Sequence, residues 1–542
     1  MFRCGAYIPF DVSISSLLCV GSPMKTFLNF ALVRSTVILV VALISNASAT
    51  TFHYVDANGT NPVAPFTNWG TAATNIQDAV FSASSSDHIL VTNGVYRFGS
   101  GGPPGIIAQV LSGLTVESVN GPSVTIIDGQ AAKRCVYLAD GAVLSGFTVT
   151  NGVSNSSSCL SCQSRNSVVT NCFIVGNNQT LSGLSAINSG RILNCVISNN
   201  LGGGAQSSIL INCTLTGNSA HDGGGASGCT LINCNLTGNS AISGGGGAYS
   251  CTLLNCVLSG NRAGYIGGGA AVGTLANCVL FGNYSTDYAG GASAATLINC
   301  TVVSNSSGMG PGGVYTSYIA NSILYYNSTP FASDDNYAGF TISNSCTTPL
   351  PPGADNFTNA PLFVDLAGGD FHLQPGSPCI NAGNNACLVP IPPLVPSITN
   401  DFDGHARVVG GTVDIGAYEF QSPASVLSYA WLQKYGFPTD GSADFLDSDG
   451  DQMNNWQEWL AGTNPTNSSS VLRMLTPTGS APNVTLSWQS VTNRTYSLQR
   501  STNLSTFQYV PATIPGQSNV TTFTDSTATG PGPFFYRVTT HP

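Results

Sequence analysis

Between residues 170 and 350 the apolar positions come in short clusters that return about every 22 residues, each closed by asparagine or glycine. An Asn-Cys pair marks the period: Asn171-Cys172, Asn194-Cys195, Asn212-Cys213, Asn233-Cys234, Asn255-Cys256, Asn277-Cys278 and Asn299-Cys300, continued by Asn321-Ser322 and Asn344-Ser345. Successive steps are 23, 18, 21, 22, 22, 22, 22 and 23 residues. A second asparagine follows (Asn177, Asn200, Asn218, Asn239, Asn261, Asn283, Asn305, Asn327), then glycine clusters such as Gly223 to Gly225 or Gly267 to Gly269.

One copy, Thr230 to Asn239, shows what the pattern requires. Cys234 and Leu236 are two residues apart and share a strand face. Leu231 reaches the same interior only if the chain bends between it and Cys234. Asn233 stands at that bend, and asparagine tolerates left-handed backbone. Asn239 and the glycines mark further corners. Each repeat therefore predicts short strands separated by corners. Helical repeats need about 33–47 residues, and the Leu-x-x-Leu-x-Leu frame of leucine-rich repeats is absent. The expected fold is all-β: a right-handed parallel β-helix of about 22 residues per coil, then a small helical calcium-loop segment and a small antiparallel β-sandwich.

Coils stacked about 4.8 Å apart lay like side chains in ladders. Seven repeat cysteines are expected to fill the interior as free thiols, because aligned side chains suit disulfide geometry poorly. Cys229 and Cys251 form a second column. The outer asparagines are expected to form amide ladders. Cys159 with Cys162, and Cys379 with Cys387, fall outside the ladders and are the disulfide candidates.

The glycine-rich segments and the Leu-x-x-Asn segments (Leu215 to Asn218, Leu236 to Asn239, Leu258 to Asn261) resemble polymorphic outer-membrane protein repeats, and the stretch as a whole resembles the pectin-lyase-like β-helix superfamily. Tyr54-Val55-Asp56, Trp69-Gly70 and Ile76 to Ala83 resemble the entry segment of bacterial surface β-helix proteins, which implies a short amphipathic helix over the first coil. Pro361 to Asp365, Phe371 to Gly383, Asp401 to Gly404 and Gly411 to Phe420 resemble the end of the "choice-of-anchor" β-helix families.

Composition narrows the function classes. Only 7% of the 542 residues are charged, against about 25% in ordinary globular proteins. The net charge of −10 excludes a nucleic-acid partner. Basic Lys25 and Arg34, the apolar run Thr36 to Ile44 and Ala47-Ser48-Ala49 have the order of a secretory signal, with Met24 as the expected true start. The expected organisation is a signal region 1–49, an N-terminal cap 50–95, the β-helix 96–420, a calcium-binding segment and linker 421–470, and a β-sandwich 471–542. The mature chain is expected to be monomeric, without a transmembrane segment, and secreted or on the cell surface.

After an expected helix at Ser425 to Tyr435 comes Asp447-Ser-Asp449-Gly-Asp451-Gln-Met453-Asn-Asn455-Trp-Gln-Glu458. Oxygen groups of Asp447, Asp449, Asp451, Asn455 and Glu458, with the backbone carbonyl of Met453, fall at EF-hand spacing for structural Ca²⁺. The loop resembles EF-hand, dockerin-type and thrombospondin type 3-like calcium loops. Gln452 replaces the usual glycine. Trp456 to Ala461 is the expected exiting helix. Alternating strands follow from Val484, Thr495, Phe507, Val520 and Phe534 and resemble a fibronectin type III-like module, with Trp488 and Tyr536 in its core.

A hydrolase needs paired carboxylates and a lyase needs clustered acids with a basic residue. Between Val168 and Ser333 the only charged residues are Arg191, Asp222, Arg262 and Asp287. Asp334-Asp335 reads as a solvated loop, Asp128 with Lys133 and Arg134 as surface salt-bridging, and His221-Asp222 as an exposed corner. No catalytic residue is assigned. The expected function is a non-catalytic adhesion or glycan-binding scaffold facing extracellular polysaccharide or cell-surface components; the alternative is a polysaccharide lyase or glycoside hydrolase with an atypical site.

Overall fold

The computed structural model describes residues 50–97, 106–154, 158–179, 184–330, 335–339, 341–388, 398–480, 482–492, 494–510, 513–529 and 532–541. They form two compact units, one from Thr50 to Val471 and one from Leu472 to Thr540. The expected signal region 1–49 lies outside the described residues. Among the described residues no helix is long and apolar enough to cross a membrane.

The first unit is a parallel β-solenoid with three strand faces. One sheet of 21 strands and one of 12 run along its length, and a five-stranded sheet, Ser219–Ala220 to Ser306–Ser307, covers the third side over the regular repeats. Register is strict because only one face of each short strand can be buried. Leu210, Leu231, Leu253, Leu275, Leu297 and Ile319 stack in one column. Leu215, Leu236, Leu258, Leu280, Val302 and Leu324 stack in another. Both columns are sealed from solvent within the core.

The corner asparagines do what the repeat requires. Asn171, Asn194, Asn212, Asn233, Asn255, Asn277, Asn299, Asn321 and Asn344 all have φ between 47° and 54°. The seven repeat cysteines are free and at most 2% exposed. Each ladder thiol points a hydrogen at a nearby carbonyl, as Cys234 does toward Ile232 at 3.3 Å. The complete amide ladder lies inside rather than outside. Asn177 through Asn327 are at most 5% exposed. In Asn261, Nδ2 donates to Leu236 O (2.8 Å) and Asn283 Oδ1 (2.9 Å), while Oδ1 accepts from Asn239 N and Nδ2, both at 3.0 Å. An amide has two donors and two lone pairs, and this position uses all four.

The ladder begins inside the segment expected to form the cap: strand Phe52–Val55 already pairs in parallel with His88–Val91. The expected entry helix is present at Ile76–Ser82, capped by Asn75. At the other end the chain leaves the coil after Cys346–Thr347 and forms an antiparallel hairpin, Phe363–Asp365 with Asp370–Leu373. It then lies back on the outer face of the 12-stranded sheet. Ala417 N donates to Thr301 Oγ1 (3.0 Å), and Gly416 N to Asn321 O (2.9 Å). A second apolar cluster forms there, including Val303, Ile323, Cys346, Phe371, Cys379 and Ile415.

Three buried carboxylates tie this exit segment together. Asp401, Asp414 and Glu419 each accept two or more backbone N–H groups. Arg407, 1% exposed, lies 3.8 Å from Glu419 and donates to the carbonyls of Asp414 and Gly416. A short helix, Tyr429–Lys434 with Ser428 as cap, packs Tyr429 and Leu432 into the second cluster. It is shorter than expected because Ser425 and the backbone N–H of Val426 are held by Asp444 instead (2.6 and 3.0 Å).

The second unit is antiparallel. Thr478–Ser480, Asn483–Ser490 and Asn519–Asp525 form one sheet; Thr495–Ser501, Gln508–Tyr509, Ile514–Pro515 and Phe535–His541 form the other. Leu486, Trp488, Tyr496, Leu498 and Ile514 make its core, with Tyr536 packed against it.

Candidate functional site

The loop Asp447 to Glu458 is shaped by its own aspartates. Asp447 accepts from Gly450 N (2.8 Å) and Gln452 N (3.0 Å), Asp449 from Asp451 N (3.2 Å), and Asp451 from Met453 N (2.8 Å). Gln452 takes φ 77°, the conformation glycine would adopt freely, so its substitution is absorbed as local strain. Asn454 and Gln457 form a capping box that starts the helix Asn455–Ala461, one residue earlier than expected. That helix carries Asn455 and Glu458 into the loop's inner side, both with no exposure.

Carboxylate oxygens of Asp447, Asp449 and Asp451 lie within 4.8 Å of one another. Four buried oxygens then have no hydrogen-bond partner: Asp449 Oδ2, Asp451 Oδ2, Asn455 Oδ1 and Glu458 Oε2. Burial first, then the charges of Asp449, Asp451 and Asp447, push the Glu458 carboxyl up to about 8. Orphaned buried oxygens are costly, and clustered hard oxygens suit a divalent cation. The residues present therefore fit calcium. Met453 is 8% exposed and follows Gln452 on the loop.

A second polar group lies on the exit segment. His372 Nδ1 meets Asp370 Oδ1 at 2.5 Å and Nε2 meets Asp403 Oδ2 at 2.6 Å, with the ring 4.2 Å from that of Tyr418. Burial lowers the affinity of His372 for its proton, but the hydrogen bonds and charges of Asp403 and Asp370 outweigh it and raise the pKa. Asp403 lines an open cleft of about 460 Å³ with Phe402, Gly404 and the corner asparagines Asn212, Asn233 and Asn255. Asp370, His372 and Asp403 lie on the exit segment, beyond the nearly uncharged coils. The signal was present: Asp365, Asp370, Asp401, Asp403, Asp414 and Glu419 crowd a segment that follows an almost uncharged repeat.

No family model and no curated protein matches the chain. Among solved structures it is similar to pectate lyase Pel9A, with 15% identity, 69% of this chain and 97% of that one covered, and a TM-score of 0.39. It is also similar to a rhamnogalacturonan lyase (12%, 54% and 87%, 0.31). A third is the A-module of mannuronan C-5 epimerase AlgE4 from Azotobacter vinelandii (13%, 56% and 95%, 0.29). These likenesses carry no argument about activity; the parallel coil stands on its own register.

The remaining polar candidates are kept apart. Asp222 pairs with exposed His221 (2.8 Å) and accepts from Gly244 N (3.1 Å). Asp287 sits three coils away, and its backbone carbonyl accepts from Met309 N and Gly310 N. Asp128 pairs with Arg97 at 3.0 Å. Asp335 accepts from Thr329 N at 3.2 Å, and Asp334 lies outside the described residues. Cys159 and Cys162 are buried free thiols, the latter aligned with core Leu138. Cys387 is a free thiol in the short turn Asn385–Leu388.

Proposed function

We propose that this is a secreted or cell-surface, monomeric, right-handed β-helix protein that binds glycan without catalysis through one lateral edge of its solenoid. The supporting observation is a strip of exposed apolar side chains on adjoining coils. Ile242 is 73%, Tyr265 53% and Met309 58% exposed. Tyr288 bridges Tyr265 (ring centroids 6.4 Å) and Tyr315 (4.9 Å, stacked). Such a patch marks a binding surface, and a run of tyrosine rings offers flat apolar faces with polar tips, which suits the faces of pyranose rings. A glycan array with the mature protein tests this. Binding that weakens tenfold or more in Tyr265→Ala/Tyr288→Ala supports it, and an empty array sinks it.

The loop Asp447 to Glu458 is read as an EF-hand-like calcium site held by Asp447, Asp449, Asp451, Asn455, Glu458 and the Met453 carbonyl. Calcium, when bound, supplies the positive charge that four clustered carboxylates lack. The C-terminal unit is read as a fibronectin type III-like sandwich that adds contacts.

One observation favours a second reading, a polysaccharide-acting enzyme: His372 held between two carboxylates beside an open cleft. Turnover of uronic-acid polymers that vanishes in Asp403→Asn and His372→Ala would establish it over the first.

A further inference from the structure

Among the described residues the repeat cysteines share one geometry. Ladder thiols stand side by side in the interior, each on its own coil and aligned with the next. Cys346 stands elsewhere. It pairs with Ile323 at the head of the column Val196, Thr214, Asn235, Val257, Val279, Thr301, Ile323, which alternates with the inward leucines and faces out of the 12-stranded sheet. No other cysteine occupies that column. The neighbouring residue Thr347 takes the inward place, aligned with Leu324.

What covers Cys346 is the exit segment. Cys379 and Cys346 are both sealed from solvent in the same cluster, against which Tyr325 packs. Cys346 N donates to Ser322 O (3.0 Å), and the adjoining Asn321 O accepts from Gly416 N (2.9 Å), the neighbour of the residue that bonds Cys379. Cys379 is fixed from its own side: its carbonyl accepts from Ile415 N (3.0 Å), and its N–H donates to Ser377 Oγ (3.2 Å). The two side chains thus reach each other from opposing layers, coil below and exit segment above. Disulfides need Cβ vectors that face each other, and in-register ladder side chains point the same way.

We propose that Cys346 and Cys379 are an oxidation site, closing to a disulfide that clasps the exit segment to the last coil. The chemistry is thiol–disulfide exchange with a small-molecule or protein disulfide as oxidant. One thiolate attacks the oxidant's S–S bond and releases one thiol. The second cysteine then attacks the mixed disulfide and releases the other. The two cysteines lose two protons and two electrons, and the oxidant is reduced to two thiols. Both sulfurs are buried in the finished fold, so closure accompanies folding. The bond spans 33 positions (379 minus 346) and restricts the unfolded chain accordingly.

The test is refolding of the full chain in a glutathione redox buffer, followed by alkylation in denaturant without reductant and peptide mapping. The expected result is one Cys346–Cys379 cross-linked peptide, with Cys172, Cys195, Cys213, Cys234, Cys256, Cys278 and Cys300 alkylated. Reductant should lower the unfolding midpoint of the wild type by several degrees and leave that of Cys379→Ser unchanged. Cys387→Ser should retain the cross-link. Alkylation of both Cys346 and Cys379, or pairing of Cys379 with Cys387, overturns the proposal. The mapping is done on the unaltered chain, so it decides even if Cys379→Ser fails to fold, and it is independent of any glycan result.

Discussion

Glu458 carries a carboxylate oxygen that is buried with nothing to bond, and three aspartates share its surroundings. This arrangement is unfavourable without a cation, so ligand linkage should be visible. Calcium at millimolar concentration is expected to raise the unfolding midpoint relative to EDTA, by calorimetry, and Glu458→Gln to abolish most of that difference. Identical midpoints in EDTA and calcium would remove the metal assignment. Asp414 and Glu419 make a different prediction. Burial pushes them up, to about 7 and about 8. A folded-state pKa above the unfolded value means the fold holds protons that the unfolded chain has released. Their contribution is therefore full below about pH 4 and falls as pH rises through 7 to 8. Glu419→Gln should flatten stability between pH 5 and 8, measured by urea unfolding at saturating calcium; an unchanged slope would refute it.

At the scale of the coil, the two asparagines of each repeat do different work. Asn255 is at a corner with φ 52°, where backbone conformation is the requirement. Asn255→Gly should therefore be close to neutral, while Asn255→Val should cost about 1–2 kcal/mol. Asn261 spends every donor and acceptor inside the coil. Asn261→Ala should cost about 2–4 kcal/mol by urea unfolding, because it leaves several buried groups unpaired. Equal costs at the two positions would contradict this division. The cysteine column shows the same logic. Serines already continue it, with Cys300 N donating to Ser322 Oγ (3.0 Å) and Ser322 N to Ser345 Oγ (3.1 Å). Cys278→Ser should thus be tolerated at about 1 kcal/mol, whereas Cys278→Val overpacks the column by about 1–3 kcal/mol.

Across the whole molecule, charge is segregated. The regular coils are nearly free of it, and the carboxylates gather in the exit segment and the Asp447 to Glu458 loop. The coils bind each other through backbone ladders and like-on-like stacking, which need no charge, and a neutral edge leaves aromatic side chains to define the surface. The exit segment leaves the regular repeat, and seven of its backbone N–H groups are satisfied by Asp401, Asp414 and Glu419.

The repeat was legible because the same side chain recurs at the same corner, and a coil that stacks on itself turns sequence period directly into contact. The left-handed asparagines, the buried thiols and the parallel register all follow from that local rule. The oxygen spacing of Asp447 to Glu458 was legible for a similar reason: its geometry is set within twelve residues. What the repeat could not reveal is everything made by the chain returning on itself. Cys346 beside Cys379 and His372 against Asp403 are pairings between positions with no shared period. Only the folding of the exit segment on itself and on the outer sheet brings them together.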